Sequence, residues 1–287
     1  MTASHLLRRL QKKRLLVKSR KRGMHKGQRQ ANSYGSSLEF SDFRLYQPGD
    51  DVRQIDWNIF GRTQKHYIKR FLDEQEVSIA IYLDATSSMR AITGKWELAK
   101  QLAASLCFVV LNSEDRLSFC PVSTTAMLPV TRKGSVYGKM VFHDIMKMAE
   151  QDKTGNFSER AQQALVKRQQ LAILISDGLE PAAQIEGLFK KLRSLRQEVW
   201  FIQVLGTEEL RPGHNGDIRL IDSETDTVVN VSMNEAIARE YRARIAEHNK
   251  QLEALCRRFG GHYLLLTEDK DLQTFLFHDL PGKGLMN

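Results

Sequence analysis

The most regular feature of the sequence is a set of short apolar runs separated by longer amphipathic stretches. Three runs, Val77–Leu83, Leu171–Ser176 and Val199–Leu205, are largely apolar and contain many β-branched residues. Runs of this kind are typical of strands covered on both faces of a sheet, because few positions have to face water. Weaker runs predict a strand at Arg116–Val122, an edge segment at Ala126–Val130 and a last strand at His262–Leu266.

The stretches between these runs have helical composition. They predict helices at Lys95–Leu111, Val136–Ala149, Ser158–Gln169 and Ala183–Leu195. Strands that alternate with helices are joined by right-handed crossovers, which build a mostly parallel sheet. The predicted fold class is therefore α/β: a doubly wound, mostly parallel sheet flanked by helices, with an N-terminal extension.

A long helix is predicted before the last strand. Ser232 and Glu235 have capping-box spacing, and Gly260–Gly261 predict the end of the helix. An apolar stripe at helical spacing runs along it: Ile237, Tyr241, Ile245, Leu252 and Leu255. Smaller predicted elements are a hairpin of Ile218–Ile221 with Thr227–Val231 and a closing helix at Leu272–Phe277.

The charge of the chain is unevenly distributed. The 287 residues include 43 Lys plus Arg and 34 Asp plus Glu, for a formal net charge of +9. Residues 1–38 contain eleven of the basic residues and no acid, so the rest of the chain is close to neutral. His5–Gly23 is predicted as a basic helix, followed by a linker to Gly35. Such a tail suits nucleic acid, an anionic membrane surface or an acidic protein groove, or it docks loosely on its own domain.

Composition also bounds the compartment. The longest apolar stretch, Ala103–Leu111, has nine residues, whereas a membrane span needs about 18–20. The N-terminus lacks the pattern of a signal peptide. Cys107, Cys120 and Cys256 are odd in number and far apart, which argues against disulfides or a metal knuckle. These features predict a cytoplasmic protein whose cysteines pack as small hydrophobic residues.

Two carboxylates follow central strands directly. Asp84, Thr86 and Ser88 come after the first central strand, and Asp177 comes after the second. Ligands of open parallel sheets bind at the carboxyl ends of the strands, where these side chains are expected to meet. Hard oxygens carrying few charges suit Mg²⁺ or Mn²⁺ with several waters. The alternative is that Asp, Thr and Ser only cap the helix that follows.

The common catalytic motifs are missing or incomplete. Gly134–Met140 resembles a phosphate-binding loop, but its glycines are one residue too close and it ends in Met instead of Ser or Thr. No GxSxG or HExxH sequence occurs. Asp84 and Ser88 have no His base nearby in sequence, so acyl-transfer chemistry is unsupported. The sequence thus predicts a protein that is not an enzyme.

The DxTxS sequence at Asp84, with Ser176-Asp177-Gly178 later, resembles the von Willebrand factor A fold and its metal-ion-dependent adhesion site. That family has Asp-x-Ser-x-Ser, a Thr from a separate loop and an Asp before Gly. Asp84, Ser88 and Asp177 match, and Thr86 replaces a Ser. The loop Thr departs from the usual Gly-Gly-Thr context, and Thr154 is the candidate for it.

The segment before the first central strand resembles a narrower family, domain of unknown function 58. The resemblance rests on 38–57 (LEFSDFRLYQPGDDVRQIDW), continues through Arg62-Thr63 and Tyr67–Lys69, and is looser afterwards, including 220–225 (LIDSET). Members tend to be encoded beside MoxR-type AAA+ ATPases. The resemblance therefore implies such an ATPase as a partner and an unidentified client protein.

The signature segment has two interpretations. Pro48-Gly49 favours a tight turn, and acids interleaved with arginines favour charge-assisted hydrogen bonds. The segment is either a structural clasp on the sheet or a partner-binding surface, and the candidate binding residues are Asp50, Asp51, Arg53, Asp56 and Trp57. The predicted division of the chain is 1–35 as basic tail and linker, 36–64 as signature segment packed on the body, and 65–287 as the α/β domain.

Three functions remain open at this point. The first is a non-enzymatic adaptor whose bound Mg²⁺ or Mn²⁺ accepts a partner's Asp or Glu and which works with the ATPase. The second is a metal-dependent phosphoryl or phosphodiester hydrolase using Asp84 and Asp177, with the basic tail recruiting nucleic acid. The third is a tether in which residues 1–30 bind anionic lipid or nucleic acid.

Overall fold

The computed structural model describes residues 3–18, 40–71, 76–90, 92–123, 129–149, 155–211, 216–221 and 228–287. The chain forms two compact units. The larger unit contains Met1–Gly23 and Val77–Asn287, and the smaller one contains Met24–Glu76.

The larger unit is built on a six-stranded sheet. Its strands are β3 (Ser78–Asp84), β4 (Arg116–Val122), β5 (Val130–Lys133), β6 (Leu171–Ser176), β7 (Glu198–Leu205) and β10 (His262–Thr267). Their order is β10-β7-β6-β3-β4-β5, and only the pairing of β4 with β5 is antiparallel. The predicted fold class, a doubly wound and mostly parallel sheet, is confirmed. The edge strand starts at the end of the predicted segment Ala126–Val130, most of which lies outside the described residues.

Helices cover both faces of this sheet because β3 alternates its side chains between two apolar clusters. Ile79, Ile81 and Leu83 belong to one cluster, and Ala80 and Tyr82 belong to the other. The helices of the unit are α1 (Ala3–Leu10), α3 (Thr93–Asn112), α4 (Gly138–Met146), α5 (Phe157–Gln163), α6 (Ala182–Ser194), α7 (Thr207–Leu210), α8 (Glu235–Arg258), α9 (Leu272–Thr274) and α10 (Leu280–Gly282). A π-helical turn, Phe275–Asp279, joins the last two.

Helix α3 lies on the first face, whereas α6 and α8 contribute to the second cluster. All three cysteines are buried and free, as predicted. No helix among the described residues is both long and apolar enough to cross a membrane.

Several predicted helix boundaries are wrong. Helix α8 begins two residues after the end of strand β9 (Val228–Met233), and its cap is Asn234, whose side chain accepts a hydrogen bond from the Ile237 amide at 2.9 Å. Ser232 lies within a strand and not at the helix start: β8 (Gly216–Ile221) pairs with β9 in the predicted hairpin. Helix α5 ends at Gln163 and not at Gln169, since the chain turns there towards β6.

The N-terminal segment is part of the core of the larger unit. Leu7, Leu10, Leu15 and Val17 are buried in the same cluster as α3. Leu15 forms a β-bridge with Met286, and the Leu16 amide donates to the Leu285 carbonyl at 2.8 Å. The helix predicted at His5–Gly23 therefore stops at Leu10, because the chain beyond it runs extended beside the C-terminus; residues 19–39 lie outside the described residues.

In its described residues, the smaller unit contains an antiparallel strand pair, a 3₁₀ helix at Val52–Gln54 and an α-helix. Strand β1 (Phe40–Leu45) pairs with β2 (Tyr67–Phe71), and α2 (Trp57–Thr63) lies between them in sequence. Since β2 pairs with β1, this unit extends to Glu76, and the predicted boundary after residue 64 falls inside it.

Candidate functional site

The sheet brings the predicted residues to one edge. Asp84 is the last residue of β3, and Asp177 directly follows β6. Strands β3 and β6 are paired neighbours in parallel register, so both carboxylates emerge at the carboxyl edge. Thr86 and Ser88 follow Asp84 in a short turn, where Ser87–Met89 forms a 3₁₀ helix.

Asp84 organises this turn by hydrogen bonds. Its side chain is buried, with the residue only 1% exposed. One carboxylate oxygen, Oδ1, accepts from the Thr86 hydroxyl at 2.7 Å and from the Thr86 amide at 3.0 Å. The other, Oδ2, accepts from the Ser176 hydroxyl at 2.6 Å. The hydroxyl oxygens of Thr86 and Ser88 are 3.1 Å apart, and either hydroxyl can donate in this contact.

Burial gives Asp84 an unusual acidity. Loss of hydration raises the pKa of Asp84 to about 7, and the nearby charge of Asp177 acts in the same direction. Hydrogen bonds from Ser176 and Thr86 oppose the rise without cancelling it. Near neutral pH, this carboxyl group therefore exchanges between its protonated and charged forms.

A lysine that the sequence reasoning missed faces Asp177. Lys95, in the first turn of α3, has no exposed side-chain surface. Its ammonium Nζ lies 3.0 Å from Asp177 Oδ2 and 2.6 Å from Glu209 Oε1. Burial works to lower the pKa of Lys95, but the two carboxylates outweigh it and the pKa is raised, so the amine stays charged. No local sequence signal identifies this lysine, because its partner Asp177 is 82 positions away.

The Asp177 turn requires glycine at position 178. Gly178 has a φ of +61°, and a Cβ built there would lie 2.8 Å from Cζ of Phe201. The neighbouring strand β7 also holds the turn, because Gln203 Nε2 donates to the Asp177 carbonyl at 2.7 Å. His248 Nε2 lies 2.6 Å from the Gly178 carbonyl oxygen. These contacts explain the Ser-Asp-Gly sequence structurally, since the turn cannot accept a larger residue without rearrangement.

Among the described residues, no group of three or more His, Cys, Asp or Glu side chains could hold a metal ion, so a small divalent cation at this edge would rely on one carboxylate and on hydroxyl oxygens. Octahedral ligands at about 2.1 Å from Mg²⁺ are about 3 Å apart, and the Thr86 and Ser88 hydroxyls match that separation. Asp84 adds a carboxylate beside them. Asp177 differs, because its carboxylate already contacts the Lys95 ammonium. Thr154, the predicted loop ligand, lies outside the described residues.

The predicted partner-binding residues lie in the smaller unit, and several have structural roles there. Asp50 makes a bidentate ion pair with Arg44 at 2.6 and 2.7 Å. Asp51 accepts from the amide and the side chain of Arg53. Asp56 caps α2 by accepting from the amides of its second and third residues. Trp57 is 61% exposed, in contact with other aromatic rings.

Comparisons with solved structures give likenesses of low identity. The protein resembles BatB from Bacteroides thetaiotaomicron at 14% identity, covering 72% of this chain and 98% of that one, with a TM-score of 0.41. An aerotolerance-related membrane protein from Bacteroides fragilis has 17% identity, coverages of 66% and 91%, and a TM-score of 0.36. Manganese-loaded TRAP protein from Plasmodium vivax has 18% identity, coverages of 45% and 57%, and a TM-score of 0.30.

Sequence comparisons are more informative. Uncharacterized proteins from Mycobacterium bovis and Mycobacterium tuberculosis are 26% identical over 268 residues, which is 90% of this chain and 83% of each relative. The model of the family described as "Protein of unknown function DUF58" matches residues 42–251, most of the chain. The chain therefore belongs to the DUF58 family, as its signature segment predicted.

Proposed function

We propose that this protein is a non-enzymatic protein-interaction module whose contact region is the carboxyl edge around Asp84. The observation that carries the proposal is the arrangement of buried Asp84 beneath two hydroxyl side chains, held by Thr86 and Ser176. This set presents oxygen atoms in a fixed geometry, which suits binding. A hydrolase needs in addition a base or nucleophile, and the charged neighbour Lys95 is already committed to two carboxylates.

The cofactor in this proposal is Mg²⁺ or Mn²⁺ at Asp84, Thr86 and Ser88. When bound, the metal would supply an open coordination position for a carboxylate of the partner. Asp84 contributes the negative charge, and the two hydroxyls contribute neutral oxygens. Ser176 fixes the Asp84 carboxylate through its hydrogen bond at 2.6 Å, so the group needs no rotation to serve as a ligand.

The proposed partner is a MoxR-type AAA+ ATPase, which would act on a client protein in the cytoplasm. Family membership supports this proposal through the resemblance described above. The smaller unit supports a second contact region, because large apolar side chains are exposed along one stretch of it: Phe43, Leu45, Val52 and Trp57. A contiguous patch of exposed apolar side chains marks an interaction surface, which is the role proposed for these residues.

The test is an affinity pull-down from native cytoplasm, with bound proteins identified by mass spectrometry. Wild type, Asp84→Ala and the exposed control Asp144→Ala are each compared in Mg²⁺ and in EDTA. We expect an AAA+ ATPase with wild type and the control in Mg²⁺, and its loss with Asp84→Ala or EDTA. Capture of the ATPase under all conditions would keep the adaptor and reject the metal. Recovery of nucleic acid or lipid without any ATPase would reject the adaptor in favour of the basic N-terminal segment.

A further inference from the structure

Lys95 places a permanent positive charge inside the candidate site. Its ammonium is fully buried and touches the carboxylates of Asp177 and Glu209, while Glu209 also accepts from the Gly206 amide at 2.7 Å. Two acids and one base form a buried ion cluster with an excess of negative charge. A buried ammonium is tolerated only when it is paired in this way, so the cluster is a built feature of the fold.

A second buried lysine on the same helix shows what an ordinary structural role looks like. Lys100 forms an ion pair with Glu97 at 2.6 Å and lies near the carbonyl oxygens of Met146 and Met148. These contacts involve neighbouring helix and loop residues and none of the predicted metal ligands. Lys95, in contrast, forms an ion pair with Asp177, one of the two carboxylates that the metal-site resemblance assigns to a cation.

We propose that Lys95 is the resident counter-ion of Asp177, a positioning residue that keeps Asp177 from binding a divalent cation and thereby weakens metal binding. The proposal rests on the metal site of the proposed function. Two effects combine. The ammonium occupies Asp177 Oδ2, and its positive charge offsets part of the attraction that the nearby carboxylates exert on a cation at Asp84, Thr86 and Ser88.

Replacing the charge tests this directly. Mn²⁺ binding is measured by isothermal titration and by the electron paramagnetic resonance signal of free Mn²⁺, for wild type, Lys95→Met and the matched control Lys100→Met. We expect Lys95→Met to bind Mn²⁺ at least tenfold more tightly than wild type, and Lys100→Met to stay within twofold. The double variant K95M/D177N should lose the gain, because the released carboxylate is then absent.

Three outcomes separate this proposal from the metal site itself. Wild-type binding that is lost in Asp84→Asn, with no gain in Lys95→Met, overturns the counter-ion and keeps the metal site. Binding by Lys95→Met alone, lost on adding Asp177→Asn, supports the counter-ion and rejects a metal site in the native protein. Absence of binding in every variant overturns both.

A variant that keeps Lys95 provides a second test if Lys95→Met does not fold. Asp177→Asn retains Lys95 with Glu209, and circular dichroism checks its fold. If the ion pair with Lys95 already keeps Asp177 from the cation, this variant should bind Mn²⁺ within twofold of wild type. A loss as large as that caused by Asp84→Asn would show Asp177 acting as a ligand and would overturn the proposal.

Discussion

At the scale of single residues, burial of charge is the main feature of the site at the carboxyl edge of the sheet. Asp84 has its pKa raised by burial, whereas Asp177 faces a lysine. The two carboxylates thus have different environments although they occupy equivalent positions after neighbouring strands. The sequence predicted that both would meet at this edge, because each ends an apolar run. It could not predict Lys95, since only the folded sheet brings α3 against the Asp177 turn.

The raised pKa of Asp84 predicts a pH-dependent stability. Its pKa is about 7 in the folded protein against an ordinary value of 3.8, so the folded state binds the proton more tightly. The resulting stabilisation is complete below about pH 4 and is lost as pH rises through about 7. The Asp84→Asn variant should lack this dependence on pH. The contribution of Asp84 to the free energy of unfolding that it removes is on the order of a few kcal/mol.

Urea unfolding of wild type and Asp84→Asn between pH 5 and pH 8 measures the effect. The free energy of unfolding of wild type should fall over this range relative to that of Asp84→Asn. The exposed control Asp144→Asn should follow wild type. Parallel curves for wild type and Asp84→Asn would contradict a raised pKa at this position. Glu209, whose pKa burial also raises, adds a slope of the same sign to all three proteins.

At the scale of elements, strands were easier to predict than helix ends. Central strands are buried on both faces, and their apolar runs mark them in the sequence. Helix ends depend on which side chain reaches the first free amides, and Asn234 serves α8 although Ser232 fits the capping-box pattern. The strand pairing of β8 with β9 decides this, and it involves residues distant from the cap.

The turn that follows β6 gives a prediction at this scale. Gly178→Ala would introduce a Cβ where φ is +61° and where Phe201 Cζ is 2.8 Å away. We expect a loss of about 1–3 kcal/mol in the free energy of unfolding, together with displacement of Asp177. Gly282→Ala is the control, because nothing lies within 4 Å of its Cβ position, and it should change stability by less than about 0.5 kcal/mol. Equal stability of the two variants would mean that the turn relaxes freely.

At the scale of the whole molecule, the basic N-terminal segment both packs into the core and presents basic side chains to solvent. Four of its apolar side chains are buried in the larger unit, namely Leu7, Leu10, Leu15 and Val17, whereas Leu16, Arg8 and Lys12 are exposed. The Arg14 amide donates to the Asn287 side chain at 2.7 Å, so the segment also ties the two termini together. Apolar and basic residues alternate closely here, which is why the sequence pattern indicated a surface tail.

Deleting residues 1–18 should therefore destabilise the protein, independently of any role of the basic side chains in that segment. The deletion removes Leu7, Leu10, Leu15 and Val17 from the core, and a single buried Leu→Ala change costs about 2–5 kcal/mol.

The double variant Arg8→Gln/Lys12→Gln removes two exposed charges and should leave the thermal midpoint unchanged. Only this variant isolates an electrostatic role. If the segment binds duplex DNA, the slope of log affinity against log salt should become shallower by about 1 for each basic side chain that no longer pairs with a phosphate. If the double variant keeps both its stability and the salt slope of wild type, Arg8 and Lys12 are excluded as phosphate ligands. If the variant lacking residues 1–18 unfolds at the wild-type temperature, the segment has no role in the core.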